Sequence, residues 1–286
     1  MGKVLSVVLV VFSVSVSAIV VRHDVPDKAY LAEPDDFPPL ATFYIDGAHG
    51  TLVKPDWVVT AAHATFCVNP GSYIALTNGY HRVERVFVHK DYQPGKSHDI
   101  ALIKLAKPVN DIEPARLYEQ SDEQDKHIWF MGIGGTGDGL KGQVVDNFAN
   151  AGILRKAQNK VEQASGPWLK FKFDSGAAAL PLEGVSGGGD SGGPAYQIHQ
   201  GKPYVLGISS RFESGGLGRY GVVEVYSRVS FFKAWIEKIT SGEETVQAQL
   251  ATPALTSLPG GLTTSMLPDV CADIGLKPST TWQAAP

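Results

Sequence analysis

The octapeptide Gly187-Gly188-Gly189-Asp190-Ser191-Gly192-Gly193-Pro194 decides how the rest of this chain is read. It surrounds one hydroxyl with five glycines and a proline, residues that let a backbone turn tightly and leave its amides uncovered. The N–H groups of Gly189 and Ser191 can then converge on the point where a substrate carbonyl gains negative charge. A serine hydroxyl alone is a weak nucleophile; it needs a base, and the base needs a third group to orient it. Two upstream stretches supply these beside strand-like apolar runs. Trp57-Val58-Val59-Thr60-Ala61-Ala62-His63 offers His63, and His98-Asp99-Ile100-Ala101-Leu102-Ile103-Lys104-Leu105 offers Asp99. Gly189-Asp190-Ser191-Gly192-Gly193 also satisfies the G-x-S-x-G of α/β-hydrolases. That fold places its acid and histidine after the serine, whereas here only His199 follows, with no acid between.

The ordered set T-A-A-H, D-I-A-L and G-D-S-G-G-P resembles the trypsin-like (chymotrypsin-fold) serine proteases, over a span running roughly from Ile19 to Ile239. The resemblance implies an all-β fold: two six-stranded antiparallel β-barrels and a C-terminal helix, with the active site in the cleft between barrels. It also implies a secreted serine endopeptidase that acts on proteins or peptides through an acyl-enzyme, without cofactor or metal. Within it His63 is the base, Asp99 orients it, Ser191 attacks, and Gly189 and Ser191 form the oxyanion hole. The competing reading is a catalytically silent secreted binding or adhesion module on the same fold. The undamaged motifs weigh against it.

Other positions depart from the family pattern. Val185 stands where tryptic relatives carry an aspartate at the pocket base. Ser210-Arg211-Phe212 replaces the S-W-G of the substrate-binding strand. Val225-Tyr226-Ser227-Arg228-Val229 resembles V-Y-T-R-V, which puts Glu224 where a small wall residue is usual. Two fates for Glu224 stay open: entry into the pocket, giving a basic or mixed P1 preference, or exposure to solvent. Relatives are activated when a new N-terminus pairs with the aspartate before the nucleophile, here Asp190. Ser17-Ala18-Ile19-Val20-Val21 makes Ile19 that N-terminus if a signal cut falls before it, the alternative being that Asp190 is satisfied within its own loop. The cysteines often found beside the base and the pocket are absent, with Ala64, Ala48 and Gly187 in their places.

Bulk properties agree with this class. The 286 residues include 25 basic and 29 acidic side chains, a net charge of −4 that argues against a nucleic-acid or anionic-membrane partner. Lys3, the apolar run Val4 to Val16 and the small Ser17 and Ala18 read as a signal peptide over 1–18, hence a secreted or periplasmic protein with no stable membrane insertion after the cut. Residues 19–239 form the expected protease domain, taken as a monomer. The Ser-, Thr-, Pro- and Gly-rich 240–286 reads as a low-complexity tail. Whether Cys67 and Cys271 pair stays open. No His and Cys cluster has zinc-ligand spacing, and Gly132-Ile133-Gly134-Gly135 lacks the lysine of a nucleotide loop, so it reads as a turn.

Overall fold

Short β-branched and aromatic runs separated by glycine-rich turns become strands because a pleated backbone lets such side chains pack on both faces. The computed structural model describes residues 19–213, 215–242, 258 and 261–278. After β1 (Ile19–Val21) come β2 (Leu40–Tyr44), β3 (Gly47–Lys54), β4 (Trp57–Thr60), β5 (Tyr73–Leu76), β6 (Gly79–Val88) and β7 (Ala101–Leu105). These six close into a barrel in the order β2-β3-β4-β7-β6-β5. Leu52, Val58, Ile74, Phe87 and Leu102 are among its fully buried residues. Closure leaves no strand edge open.

The second half contains β8 (Arg116–Leu117), β9 (His127–Gly132), β10 (Thr136–Asp138), β11 (Gly142–Val145), β12 (Arg155–Lys160), β13 (Gln163–Ser165), β14 (Trp168–Lys172), β15 (Gly184–Val185), β16 (Pro194–His199), β17 (Lys202–Phe212) and β18 (Val223–Arg228). An eight-stranded sheet runs β12-β9-β16-β17-β18-β14-β13, with β8 beside β17. This is a half-barrel rather than a second closed ring. Its open edge is covered by irregular chain: Gln158 N–H donates to Leu182 O at 2.8 Å, and Asn159 Nδ2 to Gly184 O at 3.1 Å. A small sheet, β11-β10-β1-β15, lies beside it.

The helix α1 (Val229–Thr240) buries Phe232, Ile236 and Ile239, spaced for one helical face, against the first core. Arg228 ties its start to the inter-barrel segment through Glu123, with charge-assisted bonds of 2.9 and 2.6 Å. The tail holds more than its composition suggests. Within it α2 (Leu267–Ile274) lies on the first barrel, where Ile45 N–H donates to Ile274 O at 2.9 Å and a disulfide joins Cys271 to Cys67. A helix this short is marginal alone, so it borrows a core and a crosslink. The signal-peptide reading of 1–18 lies outside the described residues. Among those described, no helix is long and apolar enough to cross a membrane.

Candidate active site

Where β4 ends, the chain turns through a short 3-10 helix, His63–Thr65, that lifts His63 to the edge of the barrel. Tyr44 braces this turn from below: its hydroxyl donates to Ala64 O at 2.8 Å and accepts from Cys67 N–H at 3.0 Å. Asp99 sits just before β7 and reaches His63 twice. Its Oδ1 accepts the His63 backbone N–H at 2.9 Å, and its Oδ2 lies 2.7 Å from the imidazole Nδ1. Ser210 Oγ donates to the same Oδ2 at 2.8 Å, while Ser227 Oγ donates to the Asp99 carbonyl at 2.7 Å. Burial alone would raise the Asp99 pKa, but the His63 charge and these hydrogen bonds hold it below the usual carboxylate range. Burial likewise pushes His63 down, and the Asp99 charge and hydrogen bond reverse the sign, leaving it raised.

The loop carrying Ser191 is anchored to the same framework. Gly192 N–H donates to Ser209 O and Ser209 N–H to Gly193 O, both at 2.9 Å, so the loop is bonded to the residue before Ser210. Gly192 packs so closely on Thr60 Oγ1 and His49 O that no Cβ would fit there, which brings the loop against the strand leading to His63. Gly189 has φ = +95°, and the turn bond from Asp190 N–H to Gly187 O spans it at 3.1 Å. Gly188 O accepts from Gly135 N–H at 2.6 Å, which aims the Gly189 N–H the opposite way across the trans peptide. Among the described residues, neither Gly189 N–H nor Ser191 N–H has a hydrogen-bond partner. Two amides bracket a half-buried hydroxyl, as an anion-accepting cradle requires. No hydrogen bond joins Ser191 Oγ to His63 in this structure.

Behind the loop Asp190 is buried at 3% exposure. Its carboxylate accepts Gly134 N–H at 2.7 Å and Gly187 N–H at 2.8 Å. These bonds lower its pKa, but burial outweighs them and pushes it up to about 7. His49 lies nearby, with Nε2 at 3.8 Å from Asp190 Oδ1. That nitrogen accepts Ile133 N–H at 3.2 Å, and burial holds the His49 pKa down to about 4, so the ring is neutral and gives Asp190 no countercharge. Ile19 is fully buried and pairs with Thr136, two residues beyond the Gly134 amide that serves Asp190.

The specificity candidates divide. Val185 is fully buried in a cluster with Val20, Phe173 and Val222. Glu224 does not face solvent: it is 4% exposed, its Oε2 accepts Ser186 N–H at 3.0 Å, and burial pushes its pKa up to about 8, with Asp190 adding to the shift. Arg211 stacks on Trp168 with 4.5 Å to the ring centroid, and Phe212 stands 43% exposed opposite Glu224 in the ladder. The neutral His49 beside Asp190 and the Ser210 hydroxyl bond to Asp99 went unread in the sequence. They depend on strand register, and no local motif marks them.

The comparisons with known proteins agree with this geometry. Residues 29–236 match the family described as "Trypsin". The chain is 30% identical over 208 residues to "Trypsin" from Saccharopolyspora erythraea, covering 68% of this chain and 87% of that protein. It is 29% identical over 208 residues to "Chymotrypsin-like elastase family member 1" from Macaca fascicularis, covering 66% and 77%. The matched span contains His63, Asp99, Ser191 and most of α1, and with a closed barrel, a half-barrel sheet and a C-terminal helix around it, the chain belongs to the trypsin family of serine proteases.

Proposed function

We propose that this protein is a secreted serine endopeptidase in which His63, Asp99 and Ser191 form the catalytic triad. The observation that carries the reading is the combination of a 2.7 Å His63–Asp99 bond with two unpartnered amides around Ser191. In the proposed cycle His63 Nε2 takes the proton from Ser191 Oγ as that oxygen attacks the substrate carbonyl carbon. The oxyanion rests on the N–H groups of Gly189 and Ser191. The C–N bond breaks as His63 gives its proton to the leaving amine, and the acyl group stays on Ser191. A water then adds, its proton passing to His63 and on to Ser191 Oγ as the acid leaves. Asp99, kept ionised, holds Nδ1–H pointing away from Ser191.

Cleavage before Ile19 is proposed to remove the signal and to create an α-ammonium that pairs with Asp190. What supports this is a buried carboxylate with no cationic partner among the described residues, close to a buried Ile19. Glu224 is proposed to favour a basic or mixed P1, since it too is buried, near the pocket segment, with no cation bonded to it among the described residues. The test pairs an organophosphonate serine probe with a mixed peptide library, on the wild-type protein and on Ser191→Ala. Labelling and cleavage confined to the wild type are expected. Neither activity in the wild type would favour the binding-module reading.

A further inference from the structure

Away from the cleft, three side chains of metal-binding type converge at the turn between β6 and β7. One ligand atom each from His89, Asp91 and His98 lies within 4.8 Å of the other two. We propose that these residues bind a divalent transition-metal ion of the zinc class, and that its occupancy lowers turnover at the adjoining His63–Asp99 pair. The effect on turnover rests on the protease reading; the binding does not.

Two imidazoles and one carboxylate form a donor set suited to zinc and unsuited to calcium or magnesium, which take oxygen ligands. Three protein ligands leave a fourth tetrahedral position for water. Zinc holds such donors at about 2.0–2.1 Å, so the three atoms must draw in by roughly an ångström. The exposed Asp91 side chain is free to swing, while the imidazoles are already confined. Their centroids are 4.8 Å apart, and His89 packs on Trp235 at 4.9 Å and on Phe232 at 5.5 Å. Ser97 Oγ lies 2.5 Å from His98 Nδ1, the kind of outer partner that fixes a ligand ring and leaves its Nε2 to the ion. His89 Nδ1 accepts Asp91 N–H at 3.2 Å, a long bond that an ion on that nitrogen would replace. Sequence spacing hid the set, because the turn brings it together: His89 N–H donates to Ile100 O at 3.1 Å.

The coupling follows from position. His98 has φ = 55°, a left-handed conformation costly for a residue with a Cβ, and the next residue is Asp99. Drawing the His98 ring toward an ion loads the peptide whose far side carries the carboxylate held 2.7 Å from His63. The competing account is plain aromatic packing of the two rings on Phe231, Phe232 and Trp235.

Calorimetric titration of the full Ser191→Ala chain with zinc sulfate separates the two. One ion per chain is expected, with binding weakened tenfold or more in His98→Ala, His89→Ala and Asp91→Asn, and no binding of calcium. Asp91 is exposed, so its variant keeps the test valid if a histidine variant fails to fold. In the wild type, zinc should lower cleavage of a reporter peptide several-fold, reversibly with a chelator, and Asp91→Asn should escape this. No saturable zinc binding below about 1 mM, or binding unchanged in Asp91→Asn, overturns the site. Binding without any change in turnover overturns the coupling. A wild type that binds zinc but cleaves nothing overturns the protease reading and the coupling together, and leaves the site standing.

Discussion

Two buried aspartates belong to the candidate site, Asp99 beside His63 and Asp190 directly before Ser191, and their surroundings are opposite. Asp99 meets an imidazole, a backbone N–H and the Ser210 hydroxyl, and its charge is stabilised despite burial. Asp190 has two backbone amides and a neutral histidine, and burial wins. Glu224, whose pKa burial raises and the Asp190 charge raises further, is in the same condition. One side of the site is electrostatically complete; the other lacks positive charge among the described residues. An anion buried without a cation is costly, so the second region is where binding of an ammonium or guanidinium does most.

The largest test of this contrast removes the completed side. Asp99→Asn should fold normally yet lower kcat by about 10⁴, since an amide stabilises the wrong imidazole tautomer; a loss under tenfold would mean that Asp99 does not orient His63. Next comes the incomplete side. N-terminal sequencing of active protein should begin at Ile19, and a chain extended by one residue before Ile19 should stay folded while losing about 10² or more in activity, as a small misplacement of the oxyanion loop costs. Full activity in the extended form would show that no such pair is needed.

A third measurement reads the contrast as stability against pH. Between about pH 4 and pH 7 an unfolded chain has Asp190 ionised while the folded chain, with its raised pKa, keeps the proton. The folded state then binds more protons, so stability falls as pH rises, by at most about 1.4 kcal/mol per unit, and levels off above pH 7. Glu224 adds a like slope and the neutral His49 an opposing one, so the Asp190 part is read by difference. In urea unfolding of Ser191→Ala chains with the residues before Ile19 still attached, the stability relative to the matching Asp190→Asn chain should fall with this slope. A difference that does not change with pH would mean that Asp190 does not hold its proton in the folded state. Asp99, with its pKa lowered, contributes the reverse: stability present above its unfolded value and lost as pH falls through the folded one. The smallest expected effect is at Glu224. Glu224→Gln should shift the Arg-to-Leu preference of kcat/KM by about tenfold, the equivalent of one pKa unit of interaction. An unchanged ratio would remove Glu224 from P1 recognition.

How much of this was legible in the sequence depended on range. His63, Asp99 and Ser191 each sit in a local pattern whose residue types have a physical reason: a buried strand end, a carboxylate before an apolar run, glycines that free two amides. The strands of the closed barrel were legible as short apolar runs between turn residues, its closure only through the family resemblance, and α1 from the spacing of Phe232, Ile236 and Ile239. The half-barrel was not, because whether a sheet closes depends on which segment reaches its edge, here 182–184 against β12. The partners of Asp190, the burial of Glu224 and the convergence of His89 with His98 are likewise products of register between distant segments. The helix in the tail was masked by a composition poor in aromatics, and contacts distant in sequence order it: the Cys67 disulfide, the Ile45 bond to Ile274 and the packing of Val270 and Ile274 on the first core.

That crosslink also fixes an order of events in time. Cys67 and Cys271 are separated by 204 residues, so the turn bearing His63 stays unstapled until residue 271 has been made and has met an oxidant. A loop of that length removes roughly 5 kcal/mol of unfolded-chain freedom in the simplest entropy treatment. The helix α2 thus clamps the first barrel, and a molecule cut short before residue 271 would carry the His63, Asp99 and Ser191 motifs without that lock.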